Sequence, residues 1–172
     1  MDNSKYYFVK PKSDQAYPLV DILEEDDDLW ELELSSPVPR KPVMADFLSG
    51  AKDVFDKRIA DVMQSMNMEG VQFFPAEIDD TKGNIHDNYV CVIVDDNTYE
   101  LADKERSVST SDGKKMIIDR EKLSEIPLNK RLGMRLREAP GYYLYHQSVV
   151  DAIMALEPTG MYFQDIEDYE IL

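Results

Sequence analysis

Ile59-Ala60-Asp61-Val62-Met63, continuing through Met66 to Gly70-Val71-Gln72-Phe73, lies 90 residues before Val149-Val150-Asp151-Ala152-Ile153, which continues through Leu156 to Gly160-Met161-Tyr162-Phe163. Each stretch reads as an amphipathic helix, a short loop ending in glycine, and a strand with Phe two residues after its first apolar residue. The glycine supplies a positive-φ helix stop. The strand then returns along the helix, and its Phe can pack under the apolar face. The spacing predicts two similar α–β units built on one sheet; chance similarity of two amphipathic helices is the competing reading. Asp56 is the expected N-cap of the first helix, which runs to about Met66 with Phe55, Ile59, Val62, Met63 and Met66 at helical spacing. Ser148 is the expected cap of the second, which runs to Leu156 with Val149, Ile153 and Leu156 inward. The strand at 71–78 carries Pro75, which predicts a sheet edge or a bulge there.

Between these units the strongest strand is 89–94, Tyr-Val-Cys-Val-Ile-Val, apolar on both faces and so central in the sheet. Residues 6–10 read as an opening strand. Trp30, Leu32 and Leu34 share one face of a strand whose other face holds Glu31 and Glu33. Pro37, Pro39 and Pro42 break regular structure, and residues 79–84 are turn chemistry. A short strand at 115–119, a short helix to about Ile126, a half-buried strand at 132–136, a turn at Pro140-Gly141, and strands at 142–146 and 161–164 complete the pattern. Residues 11–28 and 165–172 read as loop or flexible acidic segments. The expected fold is α+β: a mixed sheet with two helix–Gly–strand units (about 55–78 and 145–164) and a few short helices. A chain of 172 residues fits one domain, or two small halves packed as one.

Nineteen Lys+Arg against 35 Asp+Glu leave a net charge of −16, while a 43% hydrophobic content is too high for a disordered chain. Such a surface repels nucleic-acid phosphates and anionic membranes. It attracts basic proteins, although solubility alone also explains acidity. The charge is uneven: −14 over residues 1–103, +5 over 104–137 and −7 over 138–172. The basic island is expected to neutralise acidic neighbours within the fold. One cysteine, Cys91, allows no internal disulfide. Residues 1–7 lack the pattern of a signal peptide, and no apolar run reaches the ~18 residues needed to span a bilayer. The expected setting is the cytoplasm.

Motifs for chemistry are sparse. His86 sits in a polar turn, and His146 lies between a Tyr-rich strand and a helix start, with Ser148 and Asp151 close behind. A capping or packing role is the reading for His146, and a core role for Cys91. No phosphate-binding glycine loop, His-Glu-x-x-His or Cys-x-x-Cys occurs, so no cofactor or metal site is expected. Tyr142, Tyr143 and Tyr145 suit core or sheet-face packing, with an interface role as the alternative.

Several short motifs resemble the eleventh numbered family of bacterial immunity proteins, long described as a domain of unknown function. They are Asp46-Phe47, Gly70-Val71-Gln72-Phe73, the strand at 89–94, Lys130-Arg131-Leu132 with Arg135-Leu136, and Gln147-Ser148-Val149 leading to Gly160-Met161-Tyr162-Phe163. The likeness spans roughly residues 39–164. It implies a cytoplasmic, non-enzymatic protein that binds and neutralises a cognate toxin by blocking its functional surface, and it carries no catalytic residues. The run Glu24, Glu25, Asp26, Asp27 and Asp28 matches no motif of that family. With Asp165, Glu167, Asp168, Tyr169 and Glu170, it forms the candidate partner-binding set. Its acids would mimic phosphates in a toxin's basic cleft, where close charge pairs contribute ~1.5–7 kcal/mol of coupling. The alternatives are an enzyme using His146, and a structural or accessory bacterial or phage protein.

Overall fold

In a computed structural model of the chain, which describes residues 2–14, 16–50, 52–111 and 113–171, the two segments offset by 90 residues fold alike. The first half of the chain runs β1 (Tyr6–Pro11), β2 (Val20–Glu24), β3 (Trp30–Leu34), β4 (Phe47–Leu48), β5 (Asp53–Asp56), α1 (Lys57–Ser65), β6 (Val71–Asp79) and β7 (Ile85–Val94). The second half runs β8 (Thr98–Tyr99), β9 (Val108–Thr110), β10 (Gly113–Lys115), α2 (Arg120–Ser124), β11 (Gly133–Leu136), β12 (Ala139–His146), α3 (Gln147–Met154), β13 (Met161–Asp165) and β14 (Glu170–Ile171). Short 3-10 turns lie at Leu128–Lys130 and Ile166–Asp168. Mixed sheets with short helices make this an α+β fold.

The likeness of the two units reaches the backbone. Asp56 caps α1 by accepting from the Arg58 amide, and His146, 90 residues later, caps α3 by accepting from the Ser148 amide. Asn67 and Glu157 take φ of 54° and 53°; Gly70 and Gly160 follow with 80° and 72°. The cap of α3 is therefore His146 and not Ser148. The imidazole Nδ1 reaches the amide two residues on, as a carboxylate oxygen would, and Ser148 is the residue being capped.

Each unit is a split β–α–β. β5 and β6 flank β7, which is antiparallel to both, and α1 connects them. β12 and β13 likewise flank β1, and α3 connects them, so the two units stand on separate sheets and not on the one sheet expected. The middle strand follows the first unit in sequence, whereas the start of the chain supplies it to the second. The two helices touch each other. Ile59, Met63, Val149 and Ile153 meet Phe55 and Tyr145, all fully buried, in a shared core. The Arg58 guanidinium donates to the Leu156 carbonyl (2.9 Å) at the end of α3. Asp46 accepts from the Thr159 amide (2.7 Å) beside it.

Around the first unit the sheet order is β2-β3-β6-β7-β5-β4, and its two edges meet where Val20 bridges Gly50. The Val20 amide donates to the Ser49 carbonyl (3.0 Å). The sheet thus closes into a small barrel filled by a second core that includes Leu32, Ile78, Tyr89, Cys91 and Ile93. β7 is central, with Val90, Val92 and Val94 on the outer wall, and its last six residues are all buried. Each fully buried aliphatic side chain contributes ~1.5–3 kcal/mol. Pro75 lies just outside the β3 pairing, which starts at Ala76, so its missing N–H breaks no ladder bond on that side. A register shift follows at once, between Ala76 and Ile78. Residues 11–28, expected as loop, contain β2, because Val20 and Ile22 face the barrel interior.

The second sheet, β13-β1-β12-β11-β8, has its far face covered by a third core. There Tyr6, Phe8 and Leu144 meet Met116, Ile118 and Leu123, and the acidic tail belongs to this layer. β14 pairs with β10, Ile166 is fully buried, and the Tyr169 ring lies 5.0 Å from that of Phe8. The tail, expected as flexible, is held by these apolar side chains between its acids; Leu172 lies outside the described residues. The turn expected at Pro140-Gly141 sits instead at residues 137–138, and Pro140 and Gly141 are already in β12. The strand expected at 115–119 is displaced to β10, leaving only an isolated bridge at Ile118.

The barrel seam gives a direct test. A Cβ on Gly50 would stand 2.0 Å from the Val20 carbonyl oxygen, whereas one on Gly141 would meet nothing within 4 Å. Gly50→Ala is expected to destabilise the protein by about 2 kcal/mol or more, and Gly141→Ala to stay within about 0.5 kcal/mol, in urea titrations. Equal effects would show that the seam is not the constraint.

Candidate interaction face

The barrel's outer wall has two halves of opposite character. Over β7, β5 and β4 it is apolar and covered by the helices and the second sheet. Over β2, β3 and β6 it is acidic. β3 pairs antiparallel with β2 and parallel with β6, so two rungs of carboxylates cross the three strands. Asp21 faces Glu33, which faces Asp79; Glu24 faces Glu31, which faces Glu77. Their inward neighbours Val20, Leu32, Leu34, Ala76 and Ile78 fill the barrel, which fixes the acids on the outside. Asp21, Glu24 and Glu31 are exposed, and Glu33, Glu77 and Asp79 half-buried. Neighbouring strands stand ~4.8 Å apart, so these like charges repel at close range. Among the described residues no ion pair reaches any of the six. Asp79 alone has a local bond, from the Thr81 amide (2.8 Å).

The 24–28 run continues this face. Glu24 ends β2, and Glu25, Asp26, Asp27 and Asp28 form the exposed turn into β3. The exposed Leu23 lies on the same strand. The tail residues belong to a different layer. Asp165 is buried, pairs with Lys5 (3.5 Å) and caps the following turn. Glu167 pairs with Arg120 and accepts from the Ile118 amide (3.2 Å). Tyr169 is packed on Phe8, and only Asp168 and Glu170 are exposed acids. The structure therefore does not bring the two predicted acidic groups together. It adds Asp21, Glu31, Glu33, Glu77 and Asp79 to the first. The alternation of Leu32 and Leu34 with Glu31 and Glu33 marked one wet face; the parallel β3–β6 pairing, which doubles it, has no local signal.

Among the described residues, six of the ten cations of the basic island pair within the fold. Lys104, Arg120, Lys130, Arg131, Arg135 and Arg137 each pair with a carboxylate. The most enclosed of these is Arg131, whose Nη1 donates to Asp2 (2.5 Å) and Tyr6 (3.1 Å). Burial works against the Asp2 carboxylate, but hydrogen bonds from Ser4 and Arg131 outweigh it and hold its pKa well below the usual range.

The residues considered for chemistry are engaged in the fold. His146 Nδ1 faces the Ser148 hydroxyl (2.8 Å) and amide, its buried Nε2 has no hydrogen-bond partner among the described residues, and burial lowers its pKa. His86 joins Asn84 and two amides around the Asp80 carboxylate, which is how the 79–84 turn is held. Burial pushes the Cys91 thiol up to about 12. Among the described residues no cluster of His, Cys, Asp or Glu has metal-binding geometry, and no helix is long and apolar enough to cross a membrane.

A titratable contact also joins β5 to β12. The Tyr145 hydroxyl of β12 donates to the Asp53 carboxylate of β5 (2.7 Å). Burial pushes Asp53 up to about 7, although the Tyr145 hydrogen bond and the Lys52 ammonium both hold it down. Burial and Asp53 together raise the Tyr145 phenol well above its ordinary value. Because the folded pKa exceeds the unfolded one, the folded state retains this proton while the unfolded state releases it. Its contribution to stability is full below the ordinary carboxylate range and is lost as pH rises through about 7. Urea titrations should therefore show stability falling from pH 5 to pH 8 by about 1–2 kcal/mol more in the parent than in Asp53→Asn. Equal slopes would mean that Asp53 is not the titrating group.

Relieving the rungs should stabilise the fold. Asp21→Asn, Glu31→Gln, Glu33→Gln and Glu77→Gln combined are expected to raise stability by about 1–2 kcal/mol at low salt, with the gain shrinking at high salt. No gain would mean that the rungs do not repel. No protein-family model and no curated protein matches the chain, so the reading of this face rests on its own chemistry.

Proposed function

We propose that the chain is an immunity protein of the family it resembles. It binds a cognate bacterial toxin in the cytoplasm and neutralises it by covering the toxin's functional surface. The docking surface is the acidic wall of β2, β3 and β6, continued by the 24–28 turn. One observation supports this above the others: six carboxylates stand in two cross-strand rungs with no ion pair among the described residues. Folding alone disfavours that arrangement, and a basic surface laid across it reverses the sign of the effect. The wall also suits recognition of a basic cleft made for phosphates. Its charges are carried on strands whose opposite faces are locked in the barrel core, so little order is lost on docking.

The test is titration calorimetry with the toxin domain encoded beside the gene. The parent should bind with an affinity that falls steeply with salt. Glu31→Lys with Glu33→Lys should weaken it by about 100-fold or more. Asp168→Lys with Glu170→Lys, on the other layer, should change it less than about threefold. Salt-independent binding, or an equal loss from both pairs, would remove the barrel wall as the docking surface. Absence of any complex with the toxin at micromolar concentration would remove the immunity reading itself.

A further inference from the structure

Where the β4–β5 corner of the barrel meets the second sheet, two adjoining cavities of about 280 and 220 Å3 open. Val9, Asp53, Gly141 and Tyr143 line both. The cleft differs from the rest of this acidic surface. The larger cavity is bordered by Lys52 and Arg135, and the smaller by Lys10, against the single carboxyl group of Asp53. The Lys52 ammonium has no ion pair among the described residues and donates instead to the Tyr143 hydroxyl (3.4 Å). The Arg135 guanidinium lies 6.0 Å from the Tyr143 ring centre, and its nearest carboxylate, Asp95, is 3.7 Å away and largely exposed. The Lys10 ammonium stands 4.7 Å over the Tyr169 ring, again without an ion pair. Cations thus gather beside aromatic walls, and in this protein carboxylate partners are plentiful elsewhere.

Gly141 leaves the space open. Its φ is not in the left-handed region, so the backbone there does not require glycine. A Cβ would meet nothing within 4 Å, so packing does not require it either. What a side chain at Gly141 would do is fill the cleft, because the residue lines both of its lobes.

We propose that this cleft binds a small aromatic oxyanion, with the anionic group between Lys52 and Arg135 and the ring against Tyr143. The size admits a compact ligand and not a dinucleotide. Cations beside aromatic walls favour a planar group carrying a phosphate or carboxylate. The inference does not depend on toxin binding, since the cleft lies at the junction of the two sheets and uses none of the acidic rungs.

The experiment is an NMR titration of the full chain with phenyl phosphate, inorganic phosphate and phenol as separate probes. Phenyl phosphate should saturate at about 1 mM or below and shift the amides of Lys52, Gly141 and Tyr143. Inorganic phosphate should bind at least about fivefold more weakly, and phenol should not saturate. Lys52→Gln and Arg135→Gln should each weaken phenyl phosphate by about tenfold while the spectrum keeps its dispersion. Gly141→Leu should abolish binding, and if that variant fails to fold the two charge variants still decide. No saturation by ~10 mM, shifts confined to other residues, or unchanged affinity in Lys52→Gln would each overturn the site.

Discussion

The molecule is organised by the need of one strand to be covered on both sides. The last six residues of β7 are buried, with Tyr89, Cys91 and Ile93 turned one way and Val90, Val92 and Val94 the other. A strand apolar on both faces requires two separate covers. Curling of the sheet supplies the first, closing β2 onto Gly50 so that Tyr89, Cys91 and Ile93 lie inside a barrel. Two helices supply the second, and one of them comes from the other split unit. α3 and Tyr145 are therefore as much a part of the barrel's surroundings as α1 is. The Tyr145–Asp53 hydrogen bond sits at this junction, with the half-buried Asp53 carboxyl group between Tyr145 and the cleft.

That arrangement also divides the charge. The basic island neutralises carboxylates on and around the second sheet, as in Arg131 with Asp2 and Arg120 with Glu167. These contacts fix the chain's first residues and its tail against the layer containing Met116 and Leu123. The barrel's far wall has no such supply of ion pairs among the described residues. Acids without an ion pair among the described residues thereby line this face, while Asp165 and Glu167 of the tail are taken into the fold.

Much of the frame was legible because it rests on local signals. Both glycine stops, the Asp56 cap and the two-faced strand at 89–94 follow from periodicity and conformational preference, and all are present. The 90-residue echo runs further than the residue matches indicated, reaching the positive φ of Asn67 and Glu157, where neither side chain announces it. What local pattern could not convey was partner choice. Pro140-Gly141 carries turn chemistry but sits within β12, because Ala139 already pairs with Leu136 across the turn before it. The tail looks solvated by charge count, yet Ile166, Tyr169 and Ile171 decide its place by burial. The acidic rungs needed β3 to lie parallel to β6, a crossover linking residues more than forty positions apart. Only the 24–28 end of the face could be seen as a run.

An outward position on a strand accepts many polar residues, and the choice among them has a measurable sign. Opposite charges facing one another across two strands stabilise a sheet by ~0.2–1 kcal/mol per pair, and like charges have the reverse effect. Lys at Glu33 and Glu31 would turn four unfavourable contacts into favourable ones without touching the barrel interior. Solubility does not require the arrangement found, because acids dispersed over loops serve it equally without facing one another. Stability opposes it. Six like charges held on a wall whose reverse side is a packed core form a surface with little freedom to relax its own repulsion. Dissolved salt screens that repulsion, and a complementary basic surface laid against the wall lowers its energy further, with its charges held in register by the strands.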